Sequence, residues 1–235
     1  MSEEQFFSYY APTSGNKHSY IDECNVEYDA VYASVPDLPF GNLWLAHKLS
    51  PRIPSNSVMH FGILNSLRSW NMFKLSEGIE TACNVGGFGI DGGLSALIGA
   101  SLVDKERLCF GAFGDLAFFY DMNSLGNRHV GNNLRILLIN NGCGTEFKLR
   151  THPCYAFGEN ANKYMAAAGH YGSKSGKLVR HYAEDLGFKY LTASDKEGFM
   201  NVIDQFVDPA VSQSILLEVF TDCQMEDKAY FMIRH

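Results

Sequence analysis

The sequence predicts an α/β protein with a mainly parallel sheet and helices on both faces. Three observations predict this fold. Helix-like and strand-like segments alternate from about residue 36 onward. Two strand-like segments, 108–113 and 134–139, are short and almost wholly apolar, which is typical of strands buried on both faces of a parallel sheet. Gly- or Asn-rich turns follow three candidate strands, as at the carboxyl edge where such sheets bind ligands. We assign residues 36–235 to one domain, and residues 1–35 to a tail or the remnant of a preceding domain.

The first half of this domain can be assigned in chain order. Helices are predicted at 41–49, from about 91 to 102 and at 116–125, and strands at 58–64, 79–85, 108–113 and 134–139. Pro51 helps to end the first helix. Asp91 is a good N-cap residue for the second, whose Leu94, Ile98 and Leu102 recur every four residues.

The second half continues the alternation. It contains predicted helices at 160–168, 174–185 and 197–206, and predicted strands at 188–192 and 214–220. The stretch Gly172 to Lys177 lacks the spacing of a phosphate-binding loop, and we interpret it as a basic loop before a helix. The apolar series Phe118, Phe119 and Tyr120 is assigned to the core.

Composition narrows the classes of function. The chain of 235 residues has a net charge of -7 without long charge runs, which argues against nucleic acid as a partner. The longest nearly apolar stretch, 92–103, is too short to span a membrane. Six scattered cysteines without CxxC spacing indicate neither a zinc site nor a disulfide framework, so we expect a reduced, cytoplasmic protein.

The turn "GGFGIDGG" has two interpretations. Gly87, Gly89 and Gly92 match the spacing of the dinucleotide fingerprint, and Asp115 lies 23 residues beyond Gly92, near the position of a ribose-binding acid. A NAD-dependent Rossmann oxidoreductase is therefore one candidate. A tight glycine turn that needs no side chains is an equally good interpretation.

The segment "ILLINNGCG" also has two interpretations. Asn141-Gly142 is a strong hairpin signal. Alternatively, the Asp115 carboxylate at one strand end, an amide at the adjacent strand end and a main-chain carbonyl would supply hard oxygen ligands of the kind Mg²⁺ binds, with phosphate oxygens completing the octahedron.

The stretch "GDLAFFYDMNSLGNRHVGNNLRILLINNG" resembles the thiamine diphosphate signature, which begins with Gly-Asp-Gly and ends in Asn-Asn about 30 residues later. With the upstream "GIDGGLSALIGAS" it most resembles the menaquinone-pathway synthases that join a decarboxylated 2-oxoglutarate to isochorismate. This resemblance implies thiamine diphosphate and Mg²⁺ as cofactors, with Asp115, Asn141 and the Cys143 carbonyl as metal ligands.

The same resemblance assigns the remaining cofactor-binding positions. Ser66 and the turn Gly87, Phe88 and Gly89 fall where the family holds the diphosphate, and the Leu116 and Ala117 N–H groups fall at a helix N-terminus. Ile90 falls at the apolar residue that bends the cofactor, although a core role fits it as well.

The resemblance implies half of an enzyme that decarboxylates a small 2-oxo acid and transfers the fragment to an acceptor. A simple 2-oxo acid decarboxylase subunit is the alternative, and a degenerate domain kept for assembly is a third hypothesis. The activating glutamate of the family lies on a pyrimidine-binding domain that this chain is too short to include. We therefore expect a homodimer or heteromer that supplies that domain, and no activity from this chain alone.

Departures from the synthase pattern affect the expected substrate. Val85 and Trp70 stand where the synthases have arginines, and Phe88 stands at a serine. Loss of two cations removes charge-assisted contacts to carboxylates, so we expect a less acidic acceptor. His129, His152, His170 and His181 have no metal-site spacing and are not assigned a role.

Overall fold

A computed structural model describes residues 1–11, 19–87, 89–164 and 175–234. Phe88, the predicted helical residues 165–168 and residues 172–174 of the predicted basic loop therefore lie outside the described residues. The chain divides into two compact units, Met1–Asp37 and Leu38–His235. The first unit contains two helices that the sequence pattern did not predict, α1 (Glu3–Tyr10) and α2 (Ser19–Ala33).

The second unit is built on a six-stranded parallel sheet. Its strands are β1 (Val58–Phe61), β2 (Glu80–Cys83), β3 (Cys109–Gly114), β4 (Leu134–Asn140), β5 (Lys189–Ala193) and β6 (Ile215–Phe220). They lie in the order β2-β1-β3-β4-β6-β5. All six strands were predicted, with ends that shift by up to three residues, and the predicted fold class is confirmed.

The helices of this unit alternate with the strands. They are α3 (Asn42–Leu49), α4 (Asn65–Trp70), α5 (Gly93–Ser101), α6 (Asp115–Asp121), α7 (Ala161–Tyr164), α8 (Leu178–Asp185), α9 (Lys196–Val207) and α10 (Cys223–Arg234). Short 3₁₀ segments lie at Ser50–Arg52, Met122–Gly126, Thr145–Lys148 and Pro153–Asn160. No helix in the described parts of the chain is long and apolar enough to cross a bilayer.

Two sequence expectations about helices were wrong, and two helices of this unit were missed. Asp91 does not cap α5, because Gly92 is the N-cap residue, in the left-handed conformation (φ 77°) and without a side-chain cap. The N-terminal turn therefore depends on backbone geometry that favours glycine. Tyr120 is exposed, unlike the buried Phe118. Helices α4 and α10 were not predicted.

Helices pack on both faces of the sheet, because successive side chains of each strand point to opposite faces. On one face, Leu134, Ile136 and Leu138 of β4 belong to a buried cluster with residues of α5 and α8. On the other, Phe110 of β3 packs edge-on against Phe206 of α9, with ring centroids 5.8 Å apart. Every residue of β4 is buried, as expected for a central parallel strand.

A buried arginine anchors the amino end of β4. Arg135 is fully buried, and its guanidinium donates hydrogen bonds to five backbone carbonyls, including those of Asp208 and Val211 before β6. Burial lowers its pKa. Because the charge is satisfied by main-chain dipoles, Arg135 ties the loop after α9 to the centre of the sheet.

The strand order reverses between β1 and β3. The connection after β1 leads outward to the edge strand β2, whereas the connection after β3 leads to β4 on the other side. Loops that leave in opposite directions open a crevice at the carboxyl ends of these strands. Any ligand site of this sheet is expected there.

Candidate functional site

A cavity of about 400 Å³ lies at this reversal point, beyond the carboxyl ends of β1, β3 and β4. Its size is within the range of small-molecule sites. Polar lining residues are Asn42, Asn65, Ser66, Asp115, Tyr120, Asn141, Thr145 and Glu146, and apolar ones include Ile63, Leu64, Ile90, Ile139 and Phe147. Residues far apart in sequence therefore meet at one edge of the sheet.

The turn between β1 and α4 forms one wall of the cavity. Leu64 adopts φ 62° and ψ -117°, which a residue with a branched side chain rarely adopts. This conformation starts α4 at Asn65 and places the buried Ser66 against the cavity. A strained backbone maintained at a ligand crevice is typical of functional turns.

Asp115 connects the turns that follow β3 and β4. It is 1% exposed, and its Oδ1 accepts the N–H of Leu116 at 2.7 Å while Oδ2 accepts the N–H of Gly142 at 2.5 Å. A carboxylate oxygen can accept more than one contact. Asp115 can therefore hold a cation while it fixes the turn after β4.

Asn141 lies in the turn that Asp115 fixes. Its Nδ2 donates to Thr145 Oγ1 at 2.7 Å, and its Oδ1 accepts the N–H of Cys143 at 3.2 Å. Gly142 has φ 77°, so the chain bends sharply at a position that favours glycine. The hairpin interpretation was wrong, because β4 pairs in parallel with β3 and β6.

The two adjacent asparagines have different surroundings. Asn140 is buried, and its Nδ2 donates to Glu218 Oε1 at 2.7 Å. The second oxygen of Glu218 accepts the hydroxyl of Tyr190 at 2.8 Å, and burial raises the pKa of this glutamate. Asn140 thus belongs to a buried network, and only Asn141 lines the cavity.

The candidate metal ligands share hard oxygen chemistry. Asp115, Asn141 and Cys143 all line the cavity, where the first two provide a carboxylate and an amide oxygen. Among the described residues, no group of three or more His, Cys, Asp and Glu side chains could hold a metal ion. The set predicted from the sequence differs from such groups because it uses one carboxylate, one amide and one backbone carbonyl.

The structure brings most, but not all, predicted cofactor residues to this cavity. Ser66, Ile90, Asp115, Leu116, Ala117, Asn141 and Cys143 line it. Gly87 and Gly89 are described but are not among the lining residues, and Phe88 lies outside the described residues. The Leu116 N–H already donates to Asp115. The diphosphate role of the Gly87 turn stays a prediction.

A fully buried acid lies behind the cavity. Both oxygens of Glu226 in α10 accept the Asn42 N–H, at 2.9 and 3.0 Å, at the start of α3. Hydrogen bonds with the side chains of Asn65, Thr221 and Asn141 also favour its ionised form. Burial is the larger effect and raises its pKa to about 7. Glu226 therefore joins the turns that carry Asn65 and Asn141.

Sequence reasoning missed Glu226, Asn42 and Thr145, which support the site from other elements. The "LNSL" segment after β1 was a usable signal, because it places Asn65 and Ser66 at a strand end. No local pattern marks Glu226, since its partners Asn42 and Asn141 are 184 and 85 residues away in sequence.

Sequence comparison finds relatives among the synthases. The chain is 35% identical over 188 residues to 2-succinyl-5-enolpyruvyl-6-hydroxy-3-cyclohexene-1-carboxylate synthase of Bacteroides fragilis, a match of 80% of this chain and 32% of that protein. The synthases of the same name from Phocaeicola vulgatus and Christiangramia forsetii are 34% and 31% identical over 189 and 192 residues, matching 80% and 82% of this chain and 32% of each synthase. No protein-family model matches the sequence.

Structural comparison finds the same type of sheet in a solved enzyme. The Rhodococcus jostii RHA1 thiamine diphosphate-dependent 4-hydroxybenzoylformate decarboxylase superposes with a TM-score of 0.60 at 18% identity, covering 80% of this chain and 33% of that one. The chain therefore has the thiamine diphosphate-binding fold.

The sequence relatives narrow this class. The chain is a homologue of the 2-succinyl-5-enolpyruvyl-6-hydroxy-3-cyclohexene-1-carboxylate synthases, as its motifs predicted, and it spans about a third of the length of these curated relatives.

Proposed function

We propose that this chain is the diphosphate-binding half of a thiamine diphosphate-dependent enzyme that decarboxylates a 2-oxo acid and transfers the remaining fragment to an acceptor. One observation carries the proposal. A single cavity at the strand-order reversal collects Asp115, Asn141, Cys143, Ser66 and Ile90, which the sequence motif assigned to the cofactor.

The residues present fit the cofactor and its metal. The buried Asp115 carboxylate and the Asn141 amide supply oxygens of the kind that Mg²⁺ prefers, and the Cys143 carbonyl would add a third. The side-chain oxygens of Asn42 and Asn65 are buried without a partner in the same wall. Unsatisfied buried polar atoms at a cavity are typical of a ligand site.

Bound thiamine diphosphate would supply a carbanion centre and an electron sink for decarboxylation. The residues of this chain bind and orient it. Asp115 and Asn141 would hold the metal that neutralises the diphosphate, and Ile90 would support the cofactor from the apolar side. Ile63, Leu64 and the other apolar lining residues exclude water.

The activating acid is expected from another domain. Glu146 is the one glutamate among the described lining residues, and Arg68 binds both of its oxygens at 2.6 and 3.0 Å. This ion pair engages both carboxylate oxygens of Glu146. A pyrimidine-binding domain, in a homodimer or a heteromer, would supply the glutamate, so the isolated chain should lack turnover.

The acceptor is proposed to be less acidic than that of the relatives. Trp70 is 2% exposed and is not among the residues that line the cavity, so it offers no cation there where the synthase motif has an arginine. Arg68 is engaged by Glu146. Without two free guanidinium groups, bidentate recognition of carboxylates is weakened. A simple decarboxylase subunit is the second form of this proposal, and cytoplasmic location stays a prediction.

The Rossmann alternative is not favoured by the topology. The glycine turn follows β2, an edge strand, and β1 separates β2 from β3, the strand that precedes Asp115. A dinucleotide fold needs its glycine turn after a central strand and its ribose acid on the neighbouring strand.

Calorimetry tests the proposal. We expect heat of binding from thiamine diphosphate only with Mg²⁺, none from NAD, and loss of binding in Asp115→Ala. Asp91→Ala is the matched control, because Asp91 lies at the same sheet edge but not among the cavity residues. Equal binding by Asp115→Ala, or turnover of a 2-oxo acid by the chain alone, would contradict the proposal.

A further inference from the structure

Two thiols meet directly behind the metal-ligand turn. The Sγ atoms of Cys143 and Cys223 are 2.6 Å apart, although 80 residues separate them in sequence. Cys143 follows β4 and Cys223 is the first residue of α10. The pair therefore joins the candidate metal turn to the helix that carries Glu226.

The geometry suits a covalent bond and does not suit a shared metal ion. Two thiolates on one tetrahedral zinc lie about 3.8 Å apart, because each Zn–S bond is about 2.3 Å. A disulfide needs its sulfurs about 2.0 Å apart, so the two thiols of this protein need to approach by only about half an ångström. Cys143 and Cys223 are thus arranged for disulfide formation.

An oxidant can reach the pair. Both cysteines line a second cavity of about 730 Å³, which shares Asn141, Cys143 and Phe147 with the lining of the first cavity. Tyr155 and Gln224, which are exposed, also line it, so this cavity reaches the surface. Cys223 is half-buried, whereas Cys143 is buried, so the first attack is expected from Cys223.

We propose that Cys143 and Cys223 are a site of reversible oxidation by a low-molecular-weight disulfide. Cys223 Sγ attacks one sulfur of the small disulfide, breaks its S–S bond and releases one thiol, which takes the Cys223 proton. Cys143 Sγ then attacks Cys223 Sγ, releases the second thiol with the Cys143 proton, and closes the Cys143–Cys223 bond. The protein loses two electrons and the small disulfide gains them.

Oxidation of the two cysteines would constrain the turn after β4. The disulfide ties the residue whose carbonyl is a candidate metal ligand to the start of α10, while Asp115 holds Gly142 from the other side. The oxidised turn is held at both ends. This inference concerns a modification site and does not depend on cofactor binding.

Oxidised glutathione, followed by alkylation in denaturant and peptide mass analysis, tests the site in the full chain. Cys24→Ser is the background, because Cys24 is exposed and would take up glutathione by itself. We expect the alkylated thiols to fall by two, a cross-linked peptide pair containing Cys143 and Cys223, and full recovery with dithiothreitol.

Cys223→Ser in the same background should give no cross-link and no fall in thiols, with circular dichroism to confirm folding. The inference is overturned if glutathione stays on Cys223 without a link to Cys143. It is also overturned if the thiol count is unchanged under conditions that modify Cys24 in the wild-type chain. Neither result depends on the variant's stability, because both are measured with Cys223 present.

Discussion

Removal of the buried charge at Glu226 should change how stability depends on pH. Burial raises the pKa of this carboxyl from 4.5 to about 7. An acid with a raised pKa binds its proton more tightly in the folded state, so its contribution favours folding at low pH and is lost as pH rises through about 7. We therefore expect wild-type stability to fall as pH rises across this window.

The magnitude follows from the two pKa values. The full shift, from 4.5 to about 7, corresponds to about 3.4 kcal/mol, of which about 2.5 kcal/mol falls between pH 5 and pH 8. Glu226→Gln cannot ionise, and its amide has nearly the shape of the protonated acid. The variant should lose this pH dependence, so the stability difference between variant and wild type should shift by about 2.5 kcal/mol in favour of the variant.

Urea unfolding at pH 5, 6, 7 and 8, without metal or cofactor, measures the effect. Comparison of wild type with variant cancels the titration of histidines that both share. Glu106→Gln is the matched control, because Glu106 is exposed, and its profile should stay parallel to that of the wild type. Parallel profiles for Glu226→Gln and wild type would refute the assigned titration and the burial argument behind it.

Three further predictions concern stability, each measured by urea unfolding at pH 7. Asp121→Ala removes the acceptor of the Ser95 N–H and hydroxyl, at 2.7 and 2.6 Å, and should lower the free energy of unfolding by about 2 to 4 kcal/mol. A decrease of less than about 0.5 kcal/mol would contradict this. Arg135→Met leaves five backbone carbonyls without their donor and should cost about 3 to 5 kcal/mol, and an unchanged midpoint would show that water replaces it. Asn56→Ala should cost about 1 kcal/mol because Asn56 has φ 64°, whereas Asn56→Gly should not; equal losses would exclude backbone strain as the cause.

The strands were predictable because their signal is local. The apolar run of β4 indicated burial on both faces, and all of its residues are buried. The helix ends were less predictable. Asp91 has the right side chain for an N-cap, but the left-handed Gly92 takes that position. Backbone conformation at a turn depends on the packing of both flanking elements, which a single residue type does not report.

Some residues of the candidate site could likewise be predicted from the sequence, and others could not. Asp115 and Asn141 could be found because each directly follows an apolar strand, and parallel strands present their carboxyl ends at one edge. The Gly87 turn matched a fingerprint, yet Gly87 does not line the cavity. A spacing motif predicts the local conformation of a turn, but it does not predict which part of the structure the turn faces.

By itself, the sequence determined the class of sheet, the type of cofactor motif and the oxygen ligands that could hold a metal, because these depend on residue types at short spacing. Only the tertiary structure decided which loops share a cavity, that Asn140 faces Glu218 while Asn141 lines the site, and that Glu226 and Cys223 of α10 lie behind it. These contacts join residues 78 to 184 positions apart. The strand order and the packing of α10 bring them together, and neither is encoded in a local pattern.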